Sequence, residues 1–260
     1  GFKIYASGGT AKILKDAGVE VSYIADLIGG GAILGHRVVT LSREIYAGLL
    51  SRDTDEDRAE LERLKIPRID LVCVDLYPLE DEIAKRQQPL SPSDALGDSP
   101  LARGEKSGLE AIIEKTDIGG PTLLRAAAKG RRIVICDASD RQKVIEWIKN
   151  DEPDRELFIS ELAAKAELTV ASYALASARY HSAGKYDGLL GHQILECKYG
   201  ENGWQAPAGL FTTFPLDSVR GTLPCKGGDE LSLSNFKVIA GIAPSYNNFC
   251  DVDRLLQTIT

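Results

Sequence analysis

Two short and almost uninterrupted apolar runs constrain the fold of this chain more than any other feature of its sequence. They read Ile-Asp-Leu-Val-Cys-Val-Asp at Ile69–Asp75 and Ile-Val-Ile-Cys at Ile133–Cys136. A strand in a parallel sheet is covered by helices on both faces, so it needs apolar side chains on both sides. Helical patterns accompany these runs at Asp55–Lys65 and Pro121–Lys129. The alternation predicts an α/β fold with a parallel sheet and helices on both faces.

The beginning of the chain continues the same alternation. Phe2–Ala6 and Val19–Ile24 have the composition of strands. The helical pattern between them ends at Ala17, and Gly18 is suited to cap it because glycine adopts the left-handed conformation without strain. A glycine-rich loop then leads to a further helix, predicted at Arg43–Ser51.

The composition of the sequence changes twice later in the chain. Gln87–Gly108 is rich in proline, glycine and serine and predicts a surface excursion. Asp154–His181 is alanine-rich and predicts one helix, or two with a single break, packed closely against a neighbour. Short strand-like pieces follow from Leu195 onward. A boundary between residues 184 and 196 is therefore expected, which gives domains 1–190 and 196–260.

The composition excludes several classes of protein. Hydrophobic residues make up 43% of the 260 residues, which is typical of a globular chain rather than a disordered one. Apolar runs stay shorter than the roughly 18 residues of a membrane span. The net charge of −7 argues against a nucleic-acid partner, although a local site for a small anion is compatible with it.

The five cysteines predict neither a disulfide framework nor a zinc site. They form an odd set without CxxC spacing, and the three histidines are scattered among other residues. Cys73 and Cys136 lie inside the apolar runs and are expected to be buried thiols. We therefore expect a reducing, cytoplasmic setting and no metal.

The first candidate site is the glycine turn Ser7-Gly8-Gly9-Thr10, between a predicted strand and a helix. Glycines let a phosphate approach the backbone, the hydroxyls add donors, and a helix N-terminus presents N–H groups that lack intrahelical partners. A plain tight turn explains the same residues equally well.

The second candidate is the turn Asp117–Thr122. Pro121 suits the first position of a helix, so the two glycines before it would present N–H groups at the helix start. Arg125 and Lys129 follow four residues apart on one face of that helix. One interpretation is a capped helix with a solvated basic stripe. The other is that Asp117 and Lys129 meet in one cleft and tune each other for acid–base work.

Further candidates lie where strands end. Asp75 and Tyr77 follow the first apolar run, and ligands of open α/β sheets bind beyond the carboxyl ends of strands. Arg37 and Thr40 flank two valines and could present a cation and a hydroxyl. Each is by default structural. Together these groups suit a phosphorylated small molecule that undergoes proton transfers.

These residues resemble a known family. The chain is similar to the IMP cyclohydrolase part of the bifunctional purine biosynthesis enzymes, and toward its end to the opening of their AICAR formyltransferase part. The motifs that carry the resemblance are Tyr5–Lys12, Arg37–Leu41, Asp75–Pro78, Asp117–Lys129, Lys198–Asn202 and Ser245–Asn248. The resemblance implies a methylglyoxal-synthase-like α/β domain followed by the start of a second, cytidine-deaminase-like α/β domain.

The resemblance also implies a reaction and a site. The first domain would close the pyrimidine ring of formamidoimidazole carboxamide ribonucleotide, giving inosine monophosphate and water without a metal or organic cofactor. The implied catalytic residues are Asp117, Lys129 and Tyr77. The implied phosphate and nucleotide contacts are Ser7, Gly9, Thr10, Arg37, Thr40, Ile118 and Gly119. In the second domain, Lys198 and Tyr199 would bind substrate.

The parent protein would also use formyl-tetrahydrofolate as a co-substrate and would form a homodimer. The family's strand–helix unit before the first glycine turn and its formyltransferase lysine–histidine motif would lie outside residues 1–260.

Departures from the family pattern leave alternatives open. Val39 stands where the family carries a lysine, and Asp75 stands where it carries an asparagine. The loss of the lysine removes one cation, and the new aspartate adds a charge near an anionic substrate. The alternatives are a nucleotide- or phosphate-binding module without turnover, and a first domain that serves only as a scaffold for formyl transfer.

Overall fold

The computed structural model describes residues 2–35, 37–87, 108–213 and 244–259. Their elements in chain order are β1 (Tyr5–Ala6), α1 (Gly8–Asp16), β2 (Ser22–Tyr23), α2 (Ile24–Ile28), α3 (Arg43–Leu50), α4 (Asp55–Leu64), β3 (Leu71–Cys73), α5 (Leu79–Gln87), α6 (Gly108–Lys115), α7 (Gly119–Lys129), β4 (Ile133–Ile135), α8 (Asp140–Lys149), α9 (Arg155–His181), β5 (Gly191–Cys197), β6 (Ala208–Thr213) and α10 (Tyr246–Ile259). They divide into two compact units, the first with residues 2–79 and 108–177 and the second with residues 80–87 and those from 178 onward.

Parallel pairing dominates the first unit, as the apolar runs predict. β1 pairs with β2 in parallel, and β3 pairs with β4 in parallel with Val72 opposite Val134. In the described residues these pairs form separate two-stranded sheets. The predicted α/β class is confirmed, with shorter strands than the apolar runs suggest.

The core of the first unit surrounds β4. All three residues of β4 are buried, so this strand is covered on both faces as predicted. Helices α3, α7, α8 and α9 supply most of the other core side chains, including Leu49, Leu124, Trp147 and Leu162. Trp147 also stacks on Phe158, with ring centroids 4.4 Å apart.

The expectation that β3 is buried throughout is wrong. Val72 is buried, but Cys73 at the end of the strand is exposed, and Cys136 after β4 is half-buried. Only one neighbouring strand, β4, pairs with β3 in the described residues, so its end is less covered than a central strand.

A buried arginine joins β4 to the end of α3. The Arg132 side chain donates from Nε to the carbonyl oxygen of Leu49 at 2.8 Å and from NH2 to Oγ of Ser51 at 2.9 Å. NH2 also contacts the carbonyl oxygen of Gly48 at 3.4 Å. The last carbonyl groups of a helix lack intrahelical partners and form its negative end, so they can hold a buried cation.

Several helix boundaries follow the sequence closely. α4 begins at Asp55 because Thr54 accepts a hydrogen bond from the N–H of Asp57, and it ends as Lys65 adopts the left-handed conformation. α1 ends at Asp16, with Gly18 in the left-handed conformation that was predicted. The alanine-rich pattern forms one continuous helix, α9, of 27 residues.

Other elements differ from the predictions. The turn after β2 forms a short helix, α2, which the sequence pattern did not indicate. α7 begins at Gly119 rather than at Pro121, so the proline is the third helical residue. A proline fits anywhere in the first turn, where its missing N–H has no intrahelical acceptor.

The second unit contains an antiparallel hairpin. β5 pairs with β6 from Gly191 opposite Thr213 to Cys197 opposite Ala208. The N–H of Lys198 donates to the carbonyl oxygen of Pro244 at 3.1 Å, which connects the end of β5 to the segment before α10. Most of the predicted excursion Gln87–Gly108 lies outside the described residues. Among the described helices, none has the length and hydropathy of a membrane span.

Candidate functional site

The first glycine turn forms an open helix start. Ser7 lies in extended conformation before α1, and its side chain makes no capping hydrogen bond. The N–H of Ala11 makes the first hydrogen bond of the helix, to the carbonyl oxygen of Ser7 at 2.8 Å. The N–H groups of Gly8, Gly9 and Thr10 precede that bond, and all three residues are exposed. This arrangement can bind an anion.

Neither the packing nor the backbone conformation of the described residues explains why the first turn contains glycines. Nothing there lies within 4 Å of a Cβ built on Gly8 or Gly9, and neither residue has a positive φ. A side chain at these positions would therefore fit the described structure. The tight-turn interpretation is weakened, because neither packing nor backbone conformation requires glycine.

The second turn is closed by its own aspartate. Oδ1 of Asp117 accepts a hydrogen bond from the N–H of Gly120 at 3.0 Å, one residue inside α7. The hydroxyl of Thr122 donates to the carbonyl oxygen of Ile118 at 2.6 Å. Asp117 thus satisfies one of the N–H groups at the start of the helix, as a capping side chain does.

Close packing brings Thr40 and Leu76 to the second turn. A Cβ on Gly119 would lie 2.8 Å from Oγ1 of Thr40, and one on Gly120 would lie 2.8 Å from Cδ2 of Leu76. Both distances are shorter than real contacts of a Cβ, so a side chain at either glycine would force Thr40 or Leu76 to move. The structure therefore brings Thr40, Asp117 and Gly119 together, three of the predicted site residues, at the carboxyl end of β3.

Tyr173 of α9 also contacts this cluster, and no local pattern in the sequence indicates it. Its hydroxyl oxygen accepts a hydrogen bond from the backbone N–H of Asp117 at 2.7 Å. Burial raises the pKa of Tyr173, the carboxylate of Asp117 raises it further, and the hydrogen bond from the N–H acts in the opposite direction. The alanine-rich pattern around Tyr173 indicated packing and concealed this contact.

Tyr77 and Asp75 lie beyond β3, where the sequence placed them. The Tyr77 residue is 46% exposed, and its carbonyl oxygen accepts from the N–H of Leu79 at 2.7 Å. Asp75 forms an ion pair with Arg141 of α8. The negative charge that Asp75 adds is therefore compensated within the protein.

Arg37 is held by a carboxylate from α6. Its Nε and NH2 donate to the two carboxylate oxygens of Glu114 at 2.9 and 2.8 Å. The pKa of Arg37 is raised, first by these hydrogen bonds and then by the charge of Glu114. Glu114 was not among the predicted residues, because 77 positions separate it from Arg37.

Lys129 does not meet Asp117 within this chain. α7 begins beside Leu76, beyond the carboxyl end of β3, and ends at Lys129 shortly before β4 begins. With a helical rise of about 1.5 Å per residue, the Cα atoms of Gly119 and Lys129 are about 15 Å apart. Lys129 is exposed at the opposite edge of the β3–β4 sheet. Its role in proton transfer stays a prediction.

The other predicted residues are spread over the surface. Ile118 is 55% exposed. Ser7, Gly9 and Thr10 belong to the first turn, and the contacts found among the described residues do not connect them to Asp117. Lys198 is exposed and Tyr199 half-buried in the second unit.

A separate charged cluster lies after β4. The ammonium group of Lys165 donates to Asp137 at 2.8 Å and to Asp140 at 2.6 Å. Hydrogen bonds from Lys165 and from Ser139 lower the pKa of Asp137 to about 2. Burial raises the pKa of the neighbouring Cys136 thiol, whose Sγ lies 3.4 Å from Oγ1 of Thr169. The cluster fastens α9 to the carboxyl end of β4.

Within the described ranges, no three His, Cys, Asp or Glu side chains are grouped as a metal site would require. Three charged side chains of the predicted site have partners within the protein: Arg37 pairs with Glu114, Asp75 pairs with Arg141, and Asp117 accepts from the N–H of Gly120.

Two family matches cover most of the chain. Residues 1–91 match the MGS-like domain family, and residues 127–260 match the AICARFT/IMPCHase bienzyme family. The second match covers slightly more than half of the chain and includes α7 from Ala127 onward, α8, α9 and the part of the second unit that follows α9.

Individual proteins give the same picture. The chain is 35% identical over 262 residues to the bifunctional purine biosynthesis protein PurH of Trichormus variabilis, which covers 99% of this chain and 45% of that protein. It is 32% identical over 264 residues to PurH of Oenococcus oeni, with 99% and 45% coverage. The chain thus spans somewhat less than half the length of these relatives.

A solved structure agrees in fold. The crystal structure of ForH is similar with a TM-score of 0.51 and 31% sequence identity, and the match covers 69% of this chain and 85% of that one.

Proposed function

The chain belongs to the AICARFT/IMPCHase bienzyme family, and from that membership we propose that its first unit catalyses the IMP cyclohydrolase reaction. The substrate would be formamidoimidazole carboxamide ribonucleotide, and the products would be inosine monophosphate and water. The observation that supports this proposal most directly is the cluster of Asp117, Thr40 and Gly119 at the start of α7.

Ring closure requires a group that moves protons. The carboxamide nitrogen attacks the formyl carbon and loses one proton. The formamido nitrogen then loses its proton as it forms a double bond to that carbon, and the former formyl oxygen, which takes up two protons, leaves as water. A carboxylate beside a helix N-terminus can take the proton from nitrogen, and positioned groups of this kind accelerate proton transfer by about 10²- to 10⁴-fold. Asp117 has this position, and the hydroxyl of Tyr77 would donate toward the developing oxyanion.

Binding of the nucleotide would use the open helix start. Ser7, Gly9 and Thr10 would hold the phosphate at the N-terminus of α1, where exposed N–H groups and the helix dipole favour an anion. Arg37 would contact the nucleotide after exchanging part of its ion pair with Glu114. Thr40, Ile118 and Gly119 would contact the base or ribose at the second turn.

Two observations favour the second candidate, a nucleotide-binding module without turnover. Lys129 lies at the other end of α7 from Asp117, and Val39 stands where the family carries a lysine. Both reduce the positive charge close to the reacting atoms. This candidate keeps the binding role of both glycine turns and removes the chemistry.

The remaining proposals concern the whole protein. The parent would transfer a formyl group from formyl-tetrahydrofolate, with Lys198 and Tyr199 in the second domain binding its nucleotide substrate. We retain residues 1–190 and 196–260 as the two domains. A homodimer and a cytoplasmic location stay predictions from the sequence.

The deciding experiment supplies the formamido nucleotide and follows ring closure by ultraviolet absorbance, together with the binding of inosine monophosphate by calorimetry. Turnover that saturates with substrate supports the cyclohydrolase. Binding of inosine monophosphate without turnover supports the binding module. Formyl transfer by the longer parent, with neither cyclisation nor inosine monophosphate binding, would assign the first unit a scaffold role.

A further inference from the structure

We propose that Tyr173 is a positioning residue for Asp117, and that it fixes the segment that leads into α7. This inference rests on the proposed function, because it gives Tyr173 a role in the reaction assigned to Asp117. Its starting point is the hydrogen bond of 2.7 Å from the backbone N–H of Asp117 to the Tyr173 hydroxyl oxygen, across 56 positions of sequence.

The segment around Asp117 is short and is held on both sides. α6 ends at Lys115 and α7 begins at Gly119, so three residues connect the two helices. Tyr173 holds the N–H of Asp117, and the carboxylate of Asp117 holds the N–H of Gly120 at 3.0 Å. With both bonds in place, the backbone and the carboxylate of Asp117 have one defined orientation. Without the first bond, the N–H of Asp117 would lose its acceptor, and the segment would be held only through Thr116, Ile118 and the Asp117 carboxylate.

Tyr173 is itself held in place by its helix. Lys165, Thr169 and Tyr173 are spaced four residues apart, so they lie on one face of α9. Lys165 binds Asp137 and Asp140, and Thr169 contacts the thiol of Cys136. These contacts fasten this face of α9 to the carboxyl end of β4. The third residue of the row is thereby presented to Asp117.

The chemistry of the hydroxyl suits this role. Burial and the Asp117 carboxylate raise the pKa of Tyr173, so the phenol stays protonated at neutral pH and accepts the N–H with a lone pair. A buried or half-buried N–H that loses its acceptor costs free energy. The segment would therefore move until this N–H meets another acceptor or water. Small displacements of a reacting group lower rates strongly, because the reaction depends on its placement.

The test compares Tyr173→Phe with the unchanged chain. We expect kcat for ring closure to fall about tenfold while KM changes less than twofold. Amide hydrogen exchange at Asp117 should accelerate by at least tenfold, with other core amides unchanged. The matched control is Tyr46→Phe. The Tyr46 hydroxyl is buried and has no hydrogen-bond partner among the described residues, so its loss should leave kcat and exchange at Asp117 unchanged.

Two results would overturn the inference. One is a Tyr173→Phe variant with unchanged kcat. The other is a variant whose kcat falls only in proportion to a loss of folded protein, with exchange accelerated everywhere. If the unchanged chain lacks turnover, the proposed function fails, and amide exchange at Asp117 decides about Tyr173. Acceleration at Asp117 with other core amides unchanged then supports the positioning of this segment, and unchanged exchange at Asp117 refutes it.

Discussion

Two glycine turns stand at the starts of helices α1 and α7 in the first unit, and their surroundings differ in almost every respect. At Ser7–Thr10 the residues are exposed, no side chain caps the helix, and a Cβ on Gly8 or Gly9 would meet open space among the described residues. At Asp117–Gly120 an aspartate caps the helix, Thr40 and Leu76 press against the glycines, and Tyr173 holds the backbone.

The difference shows that similar glycine patterns arise from different causes. In the second turn, packing within the protein favours glycine, because a side chain there would displace Thr40, Leu76 or the Asp117 carboxylate. In the first turn, no described atom would contact a side chain at Gly8 or Gly9, so the space beside the helix start is open to a ligand. The open turn therefore suits phosphate binding, while the packed turn suits the exact placement of a reacting group.

The most decisive change is Asp117→Asn. Asparagine can still accept the hydrogen bond from the N–H of Gly120, so helix capping and stability should be retained. It cannot take a proton as a carboxylate does, so we expect kcat for ring closure to fall about 100-fold, equivalent to about 2.7 kcal/mol. Steady-state kinetics and urea denaturation measure the two effects. Full activity in Asp117→Asn would mean that Asp117 only caps α7 and takes no part in proton transfer.

Gly120→Ala tests the packing at the second turn. The new Cβ would meet the carboxylate of Asp117 and the side chain of Leu76, and overpacking of this kind costs about 1–3 kcal/mol. We expect the free energy of unfolding in urea to fall by about 2 kcal/mol. An unchanged value would mean that the second turn is as loosely packed as the first, and the contrast between them would disappear.

Gly9→Ala tests the openness of the first turn. Alanine is a better helix former, so we expect the free energy of unfolding to rise by about 0.5 kcal/mol. The same methyl group would occupy the space that a phosphate needs, so the affinity for inosine monophosphate should fall about tenfold. Calorimetry measures the affinity. Gly30→Ala is a matched control, because it also meets open space and lies outside both turns; its affinity should not change.

The ion pair between Asp137 and Lys165 should make the stability of the second turn depend on pH, and it should not affect the first turn. The pKa of Asp137 is lowered to about 2 by Lys165 and Ser139, so its contribution is present above about pH 4 and is lost as pH falls toward 2. We expect Lys165→Met to reduce stability at pH 6 by about 0.5 kcal/mol, and by less at pH 3.

The measurements for that change are urea denaturation at the two pH values and amide exchange. Because Lys165 lies on the same face of α9 as Tyr173, exchange at Asp117 should accelerate in Lys165→Met at pH 6. Exchange at Ala11, whose N–H donates to the carbonyl oxygen of Ser7 at the first turn, should not accelerate. Equal acceleration at both turns would contradict the separation between them.

Local patterns in the sequence predicted much of the fold. The apolar runs predicted β3 and β4 and their parallel pairing, because burial on both faces leaves a clear composition. The charged pattern at Asp55–Lys65 predicted α4, which begins at Asp55 and ends one residue earlier, at Leu64. The start of α7 was misplaced, because the capping contact of Asp117 reaches Gly120 and the proline falls within the first turn.

The candidate site was predictable only in part. Asp117, Gly119 and Thr40 lie close together at the start of α7, and their roles toward a ligand stay predictions. Glu114 and Tyr173 could not be found in this way, because their partners are 77 and 56 positions distant and no local pattern links them. The proposed meeting of Asp117 and Lys129 depended on the direction of α7 relative to the sheet, which the spacing of residues does not contain.

The buried guanidinium of Arg132 has a consequence for how the chain is made. Its acceptors at the end of α3 precede it by 81 to 84 positions. During translation, the last carbonyl groups of α3 leave the ribosome long before Arg132 does, and they stay hydrated until it arrives. Folding of the first unit is thereby coupled to the synthesis of β4, so a nascent chain that stops before residue 132 holds α3 without its terminal counter-charge.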